Sequence, residues 1–169
     1  TPLYSSAASD VYKRQGPAVG LADETVAVAE LASVLPRAQA LVLCCPLDDS
    51  TRGLIGARQL ALMPPGALLV NVARAEVVDE EALYHALTGG QLGRAALDVW
   101  YSYPKAGQTP APPSRWPLHE LPNVRGTPHI SAITPALLER RYAFIAHNTM
   151  RVAQGLEPEN VIYLSLIHI

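Results

Sequence analysis

Three short apolar runs recur along the chain and limit its fold more than any other feature. They cover Ala40 to Cys45, Ala67 to Asn71 and Ala95 to Val99. Each run is too short for a helix and is bounded by proline, glycine or charged residues, which is typical of strands buried on both faces of a parallel sheet. The sequence therefore predicts three parallel strands that lie side by side in one core.

Helical segments separate these predicted strands. The segment from Gly56 to Met63 ends at two prolines, and the segment from Asp79 to Leu87 begins with three acidic residues and ends at two glycines. An apolar stretch from Val28 to Leu35 precedes the first strand, and a long helix is predicted from Pro135 to Gln154. This alternation predicts an α/β fold, a doubly wound and Rossmann-like parallel sheet.

Composition argues against several classes of protein. The 169 residues carry a net charge of −2, which predicts no basic surface for nucleic acid or for an acidic membrane. No apolar run approaches the roughly 20 residues of a membrane helix, and no signal peptide is recognised. We expect a soluble, cytoplasmic protein. Cys44 and Cys45 are adjacent and have no histidine at metal-ligand spacing, so we expect two small buried residues, and neither a disulfide nor a metal site.

Residues with distinct chemistry stand near the ends of the apolar runs. Arg74 follows one run, Asp98 lies at the end of the next, and His129 comes after Thr127 and Pro128. Ligands of open α/β sheets bind at the carboxyl ends of the strands. Arginine can form paired hydrogen bonds with a carboxylate, and the imidazole of histidine can donate or accept a proton near neutral pH. Singly, each residue is more often an ordinary surface or loop residue.

Several short motifs follow one another along the chain in a defined order and spacing. They include Cys45 to Leu47 with Thr51, Leu54 to Gly56, Leu69 to Arg74, Val78 to Glu80, Ala96 to Val99, and Thr127 to His129. Between about Gly16 and Tyr163 this series resembles the NAD-binding domain of the NAD-dependent D-2-hydroxyacid dehydrogenases, and an ordered series is more specific than one fingerprint. The resemblance implies a fragment of an oxidoreductase that transfers a hydride between NAD(H) and a small 2-hydroxy or 2-keto acid, similar to glyoxylate/hydroxypyruvate reductase or phosphoglycerate dehydrogenase.

The resemblance also implies a role for each candidate residue. Arg74 would bind the substrate carboxylate, His129 would be the proton donor in reduction and the base in oxidation, and Asp98 would orient the nicotinamide carboxamide. Further cofactor contacts are implied for Cys45, Pro46, Leu47, Thr51, Val72, Ala73 and Ala132. The implied cofactor is NAD, with NADP left open because the acidic residue that separates the two is not found in these residues.

The chain departs from the family at three positions near the predicted site. Most members carry a glutamate five residues after the aspartate, where it pairs with the catalytic histidine, and Tyr103 stands there instead. A neutral phenol can hydrogen-bond a ring nitrogen but supplies no negative charge. Ala75 and Ala132 replace two usual glycines. Two alternatives stay open: a formate dehydrogenase-like enzyme, and a non-catalytic protein that binds NAD or a partner.

The domain organisation is predicted from the same comparison. No strand followed by GxGxxG and a helix is found, so we expect the sheet to be truncated on its N-terminal side. Residues 16–135 would form a partial NAD-binding domain, and residues 136–163 a crossover helix and return segment toward a substrate domain, with part of the helix's apolar face exposed. Residues 1–15 and 164–169 are expected to be non-native or disordered tails. The chain alone is expected to be inactive, and the full-length protein to be a homodimer.

Overall fold

A computed structural model describes residues 24, 26–104, 107 and 111–160. The chain divides into two compact units, of which the first ends at Ile130 and the second begins at Ser131. The tails expected at residues 1–15 and 164–169, and the predicted start of the family resemblance at Gly16, lie outside the described residues.

The first unit is built on a four-stranded parallel sheet. Its strands are β1 (Ala40–Leu43), β2 (Ala67–Asn71), β3 (Leu92–Leu97) and β4 (Val124–Gly126), which lie side by side in that order. The predicted α/β fold and the three predicted parallel strands are confirmed. The strand β4 was not predicted, because it is only three residues long and contains one apolar side chain, Val124.

Two strands, β1 and β3, differ from the prediction at their ends. The strand β1 ends at Leu43 rather than Cys45, because the chain turns toward Pro46, which has no N–H for a ladder. The strand β3 begins at Leu92 and ends at Leu97, so Asp98 follows it. The sequence did not predict that β3 begins at Leu92, because Gly93 and Arg94 interrupt the apolar pattern.

The helices of the first unit follow the predicted positions. The short helix α1 (Leu31–Val34) is flanked by 3-10 turns at Val28–Glu30 and Leu35–Arg37, and the next helices are α2 (Ala57–Leu62) and α3 (Glu80–Thr88). Asp79 caps α3, because its Oδ1 accepts a hydrogen bond from Ala82 N at 2.8 Å. The turn beyond α3 uses Gly90 at φ 77°, as the glycine pair predicts.

The core of the first unit joins the sheet to these helices. Its largest fully buried side chains include Leu35, Leu41, Leu43, Ile55, Leu60, Leu69, Leu83, Leu92 and Leu118. Alternate residues of β1 and β2 are only partly buried. The described residues therefore cover one face of these two strands more completely than the other, whereas the apolar runs predicted burial on both.

The second unit consists of helix α4 (Pro135–Ala153) and a segment that folds back on it. Thr134 caps the helix by accepting a hydrogen bond from Leu137 N at 3.1 Å. The returning segment is held by Glu159, whose N–H donates to Asn148 Oδ1 at 2.9 Å and whose carboxylate lies 3.1 Å from His147 Nε2. Among the described residues, no helix is long and apolar enough to cross a bilayer.

Candidate active site at the carboxyl edge of the sheet

The last residues of the four strands form one row across the sheet. Leu43 of β1 pairs with Asn71 of β2, and Asn71 pairs with Leu97 of β3. Leu97 pairs in turn with Gly126 of β4. Because all four strands are parallel, the chain leaves each of them along the same edge.

Hydrogen bonds extend the ladder one residue past this row. Val72 N donates to Leu43 O at 3.3 Å, Asp98 N to Asn71 O at 3.0 Å, and Thr127 N to Leu97 O at 2.9 Å. The predicted residues of the first unit therefore follow the strands at a shared edge: Cys45, Pro46, Leu47 and Thr51 after β1, Val72, Ala73 and Arg74 after β2, Asp98 and Tyr103 after β3, and His129 after β4. Ala132 belongs to the second unit, and its cofactor contact stays a prediction.

A buried threonine fixes the turn after β1. Thr51 is 8% exposed, donates its hydroxyl proton to Pro46 O at 2.7 Å and accepts a hydrogen bond from Asp48 N at 2.9 Å. Burial raises the pKa of the Cys45 thiol, which therefore contributes to packing as a neutral group. Cys44 is exposed, contrary to the prediction that both cysteines are buried, because neighbouring side chains of an extended segment point to opposite sides.

Asn71 fixes the turn that carries Arg74. Its side chain is buried, donates from Nδ2 to Arg74 O at 2.9 Å and accepts at Oδ1 from Ala73 N at 3.0 Å. The exposed Arg74 donates from Nη1 to Ala73 O at 2.6 Å. The sequence analysis did not select Asn71, although an amide at the end of an otherwise apolar run was a usable signal. Ala75 begins a 3-10 turn, and its backbone does not adopt a positive φ, so alanine fits where the family usually has glycine.

Asp98 holds both sides of the turn that carries His129. Its carboxylate is buried, and Oδ1 accepts from Thr127 Oγ1 at 2.5 Å and from Ile130 N at 2.9 Å. His129 lies between these two contacts at φ 59°, in the left-handed region that a non-glycine residue adopts only at a cost in free energy. The two hydrogen bonds to Asp98 therefore stabilise a backbone conformation that presents the imidazole at the edge.

Tyr103 lies beside the imidazole of His129. The phenolic Oη is 3.3 Å from His129 Nδ1 and accepts a hydrogen bond from Trp100 N at 3.0 Å. The indole Nε1 of Trp100 donates to Thr127 O at 3.0 Å, which ties the two turns together. Tyr103 thus contacts the histidine that the resemblance pairs with a glutamate. Trp100 and Thr127 hydrogen-bond within this arrangement, and sequence reasoning did not assign either contact.

The other described histidines have surface surroundings. His85 on α3 lies edge-on to Trp116, with ring centroids 5.1 Å apart, and His119 is 3.6 Å from Glu120. No group of three histidine, cysteine or acidic residues that could hold a metal ion occurs within residues 24–160 as far as they are described. The histidine at the edge of the sheet is His129.

The sequence profile described as "D-isomer specific 2-hydroxyacid dehydrogenase, NAD binding domain" matches residues 6–131. The chain belongs to this family. The profile match covers all four strands of the sheet and the candidate residues from Cys45 to His129.

Individual proteins show the same relationship. The chain is 38% identical over 135 residues to a D-3-phosphoglycerate dehydrogenase of Methanocaldococcus jannaschii, covering 80% of the chain and 24% of that protein. It is 36% identical over 133 residues to glyoxylate/hydroxypyruvate reductase B of Pectobacterium atrosepticum, covering 79% of the chain and 39% of that protein. The crystal structure of a D-lactate dehydrogenase with NAD+ from Lactobacillus jensenii superposes with a TM-score of 0.70 at 28% identity, covering 94% of the chain and 52% of that protein. The chain thus spans well under half the length of the two curated relatives.

Proposed function

We propose that this chain supplies the catalytic edge of an NAD-dependent oxidoreductase that interconverts small 2-hydroxy and 2-keto acids. The proposal rests on the row of strand ends, after which Arg74, Asp98 and His129 follow three neighbouring strands at one edge. Asn71 and Asp98 hold the backbone of the turns that carry the arginine and the histidine. A cation and a titratable imidazole on such fixed turns suit the binding of a keto acid and the protonation of its carbonyl oxygen.

The described residues fit the nicotinamide end of NAD. The carboxylate of Asp98 is an acceptor for the N–H groups of a carboxamide, and Val72 is 39% exposed beside the buried Ala73. On the other side, Cys45, Pro46 and Leu47 form the turn that Thr51 braces. These residues would hold the nicotinamide end, and the bound cofactor would supply the hydride. NADP stays an alternative to NAD.

Two side chains would act on the substrate. The guanidinium of Arg74 can form paired hydrogen bonds with a carboxylate, which a lysine cannot do. The imidazole of His129 faces Tyr103 with Nδ1, so Nε2 is the nitrogen that would exchange a proton with the carbonyl or hydroxyl oxygen. Arg74 thus orients the acid, and His129 holds or releases the proton.

The substrate class follows from the relatives. The names of two relatives specify phosphoglycerate and glyoxylate or hydroxypyruvate, all of which are 2-hydroxy or 2-keto acids or their close derivatives. We propose glyoxylate and hydroxypyruvate as the first substrates to test. A homodimer in the cytoplasm is proposed for the complete protein on the basis of the family resemblance.

The test uses the complete open reading frame that encodes this chain. NADH oxidation is measured with glyoxylate and with hydroxypyruvate, and formate oxidation with NAD+ is measured in parallel. His129→Gln should lower kcat/KM by about 10²- to 10⁴-fold, because it removes the general acid. Arg74→Lys should raise the KM for the keto acid by about 10- to 100-fold, because the paired bonds to the carboxylate are lost. His85→Gln changes an exposed histidine on α3 and should leave the rate unchanged.

Three outcomes would contradict the proposal. Turnover of formate without turnover of either keto acid would favour the formate dehydrogenase-like alternative. NADH binding without turnover of any of these substrates would favour the non-catalytic alternative. Equal losses in His129→Gln and His85→Gln would remove His129 from the proposed mechanism.

A further inference from the structure

The hydrogen bond between Tyr103 and His129 has a direction that a second contact of Tyr103 determines. The phenolic Oη accepts a hydrogen bond from Trp100 N at 3.0 Å, and a backbone amide can only donate. The phenol has one proton of its own, and His129 Nδ1 lies 3.3 Å away. A bare imidazole nitrogen is a stronger base than a phenolic oxygen, so the bond is strongest when Oη donates and Nδ1 accepts.

We propose that Tyr103 is a positioning residue that donates its phenolic proton to His129 Nδ1 and so holds the neutral imidazole in the tautomer protonated at Nε2. The assignment of the tautomer stands on the two contacts of Oη. Its catalytic consequence rests on the proposed function, because it concerns the nitrogen that would meet the substrate. A carboxylate at position 103 would accept from Nδ1–H and select the opposite tautomer.

Protonation of the ring would reverse this hydrogen bond. In the imidazolium both ring nitrogens carry protons, so Oη would have to accept from Nδ1–H and from Trp100 N together, with its own proton turned toward solvent. Tyr103 is 46% exposed, so water can receive that proton. The carboxylate of Asp98 bonds Thr127 Oγ1 and Ile130 N on either side of the ring. Tyr103 can therefore hydrogen-bond either state of the ring, whereas a glutamate would add a negative charge that favours the charged ring.

The consequence for the proposed reaction concerns pH. Reduction of a keto acid needs a proton released from Nε2 of the imidazolium, and oxidation needs a bare Nε2. The neutral tautomer protonated at Nε2 can hydrogen-bond a carbonyl oxygen but serves neither proton transfer. We therefore expect the rate of reduction to fall at a lower pH in this protein than in a variant with glutamate at position 103.

The tautomer can be measured directly on the 169-residue chain by long-range ¹H–¹⁵N correlation of uniformly ¹⁵N-labelled protein. The spectrum is recorded about two units above the ordinary histidine pKa of about 6.5, and His129 is assigned by comparison with His129→Gln. The expected pattern is a proton on Nε2 and a bare Nδ1 for His129. The pattern with a proton on Nδ1 and a bare Nε2 would overturn the proposal, whatever the activity of the protein.

Substitutions at position 103 provide a second test. Tyr103→Phe removes the donor to Nδ1, so the preference for the tautomer protonated at Nε2 should weaken in the same spectrum. Tyr103→Glu replaces the donor with an acceptor, so the proton should move to Nδ1, and the fall in kcat/KM for reduction should move to higher pH. Tyr142→Phe, at an exposed position on α4, should leave the tautomer of His129 unchanged. The same tautomer in the native protein and in both variants at position 103 would overturn the proposal, whereas failure of keto-acid turnover in the complete protein would contradict the proposed function alone.

Discussion

Buried polar side chains determine where the reactive groups of this chain lie. Arg74 and His129 are exposed. The side chains of Asn71 and Asp98 are buried, at 2% and 4% exposure. They hydrogen-bond the backbone of the turns that carry Arg74 and His129. Removing the Asn71 side chain would leave the N–H of the buried Ala73 without its partner, which costs more than the bond itself contributes. The position of the candidate catalytic groups therefore depends on residues that need not contact the substrate.

Tyr101 offers a residue-scale test of the packing next to this edge. Its Oη donates to Val78 O at 2.9 Å, and burial, together with the carboxylates of Glu80, Asp79 and Glu76, raises the pKa of the phenol. Tyr101→Phe should lower the free energy of unfolding by about 1 kcal/mol at neutral pH, because it removes the hydrogen bond. Urea unfolding followed by circular dichroism measures the difference.

The difference in the free energy of unfolding between the native protein and Tyr101→Phe should depend on pH, with a definite sign. The folded state holds the Tyr101 proton more tightly than the unfolded state, whose tyrosine pKa is about 10. The stabilisation is therefore fully present below about pH 10 and is lost as the pH rises through the raised folded-state pKa. The difference between the native protein and Tyr101→Phe should shrink above about pH 10. Tyr142→Phe, at a 68% exposed position, should show no such trend, and a constant difference for Tyr101→Phe would contradict the argument.

At the scale of elements, periodicity located the strands but not all of their ends. The run Ala67 to Asn71 was predicted at its full length, because its first four residues are apolar and the residues Pro64, Pro65 and Gly66 precede it. The start of β3 was missed, because Gly93 in that strand has no apolar side chain. Parallel strands place their carboxyl ends together, so the shared edge of the candidate residues was predictable.

Contacts between distant turns could not be predicted from composition or spacing alone. The bond between Asp98 and Ile130 joins residues 32 positions apart and depends on how two loops approach each other. The contact between Tyr103 and His129 joins residues 26 positions apart, and it was expected only because the family resemblance places a histidine-pairing residue at position 103. The chemical types at the site were therefore readable from the sequence, whereas the partners of Asp98 required the fold.

Gly93 lies near the start of β3, where the backbone of Gly66 approaches it closely. A Cβ added at this position would lie 2.5 Å from Gly66 O, and the contacted atom belongs to the backbone. Gly93→Ala should therefore lower the free energy of unfolding by about 1–3 kcal/mol through overpacking. At Gly56 an added Cβ would meet a side-chain atom of Gln59 at 3.6 Å, an ordinary contact, so Gly56→Ala should cost less than about 1 kcal/mol. Equal losses in a urea titration of the two variants would refute the close approach of Gly66.

At the scale of the whole molecule, the two units differ in how they bury apolar groups. The first unit has a continuous core between the sheet and its helices. In the second unit no residue of α4 is fully buried, and Leu138, Phe144, Ile145, Met150 and Val152 are exposed. Part of the apolar face of this helix was expected to be exposed, and Leu138, Phe144 and Ile145 are exposed, while Leu137 is half-buried. Contiguous exposed apolar surface promotes association in water.

Solution behaviour should therefore depend on one face of α4. Ile145 and Val152 are 55% and 59% exposed and lie two helical turns apart on the same side of the helix. The double substitution Ile145→Lys with Val152→Lys should reduce the concentration-dependent self-association of the chain, measured by sedimentation velocity, because it replaces apolar surface with charge. Ala136→Lys with Ala143→Lys adds the same two charges at exposed positions on the opposite side and removes no large apolar group. If both pairs reduced association equally, net charge rather than the apolar face would control it, and if neither did, this face of α4 would not be the surface that associates.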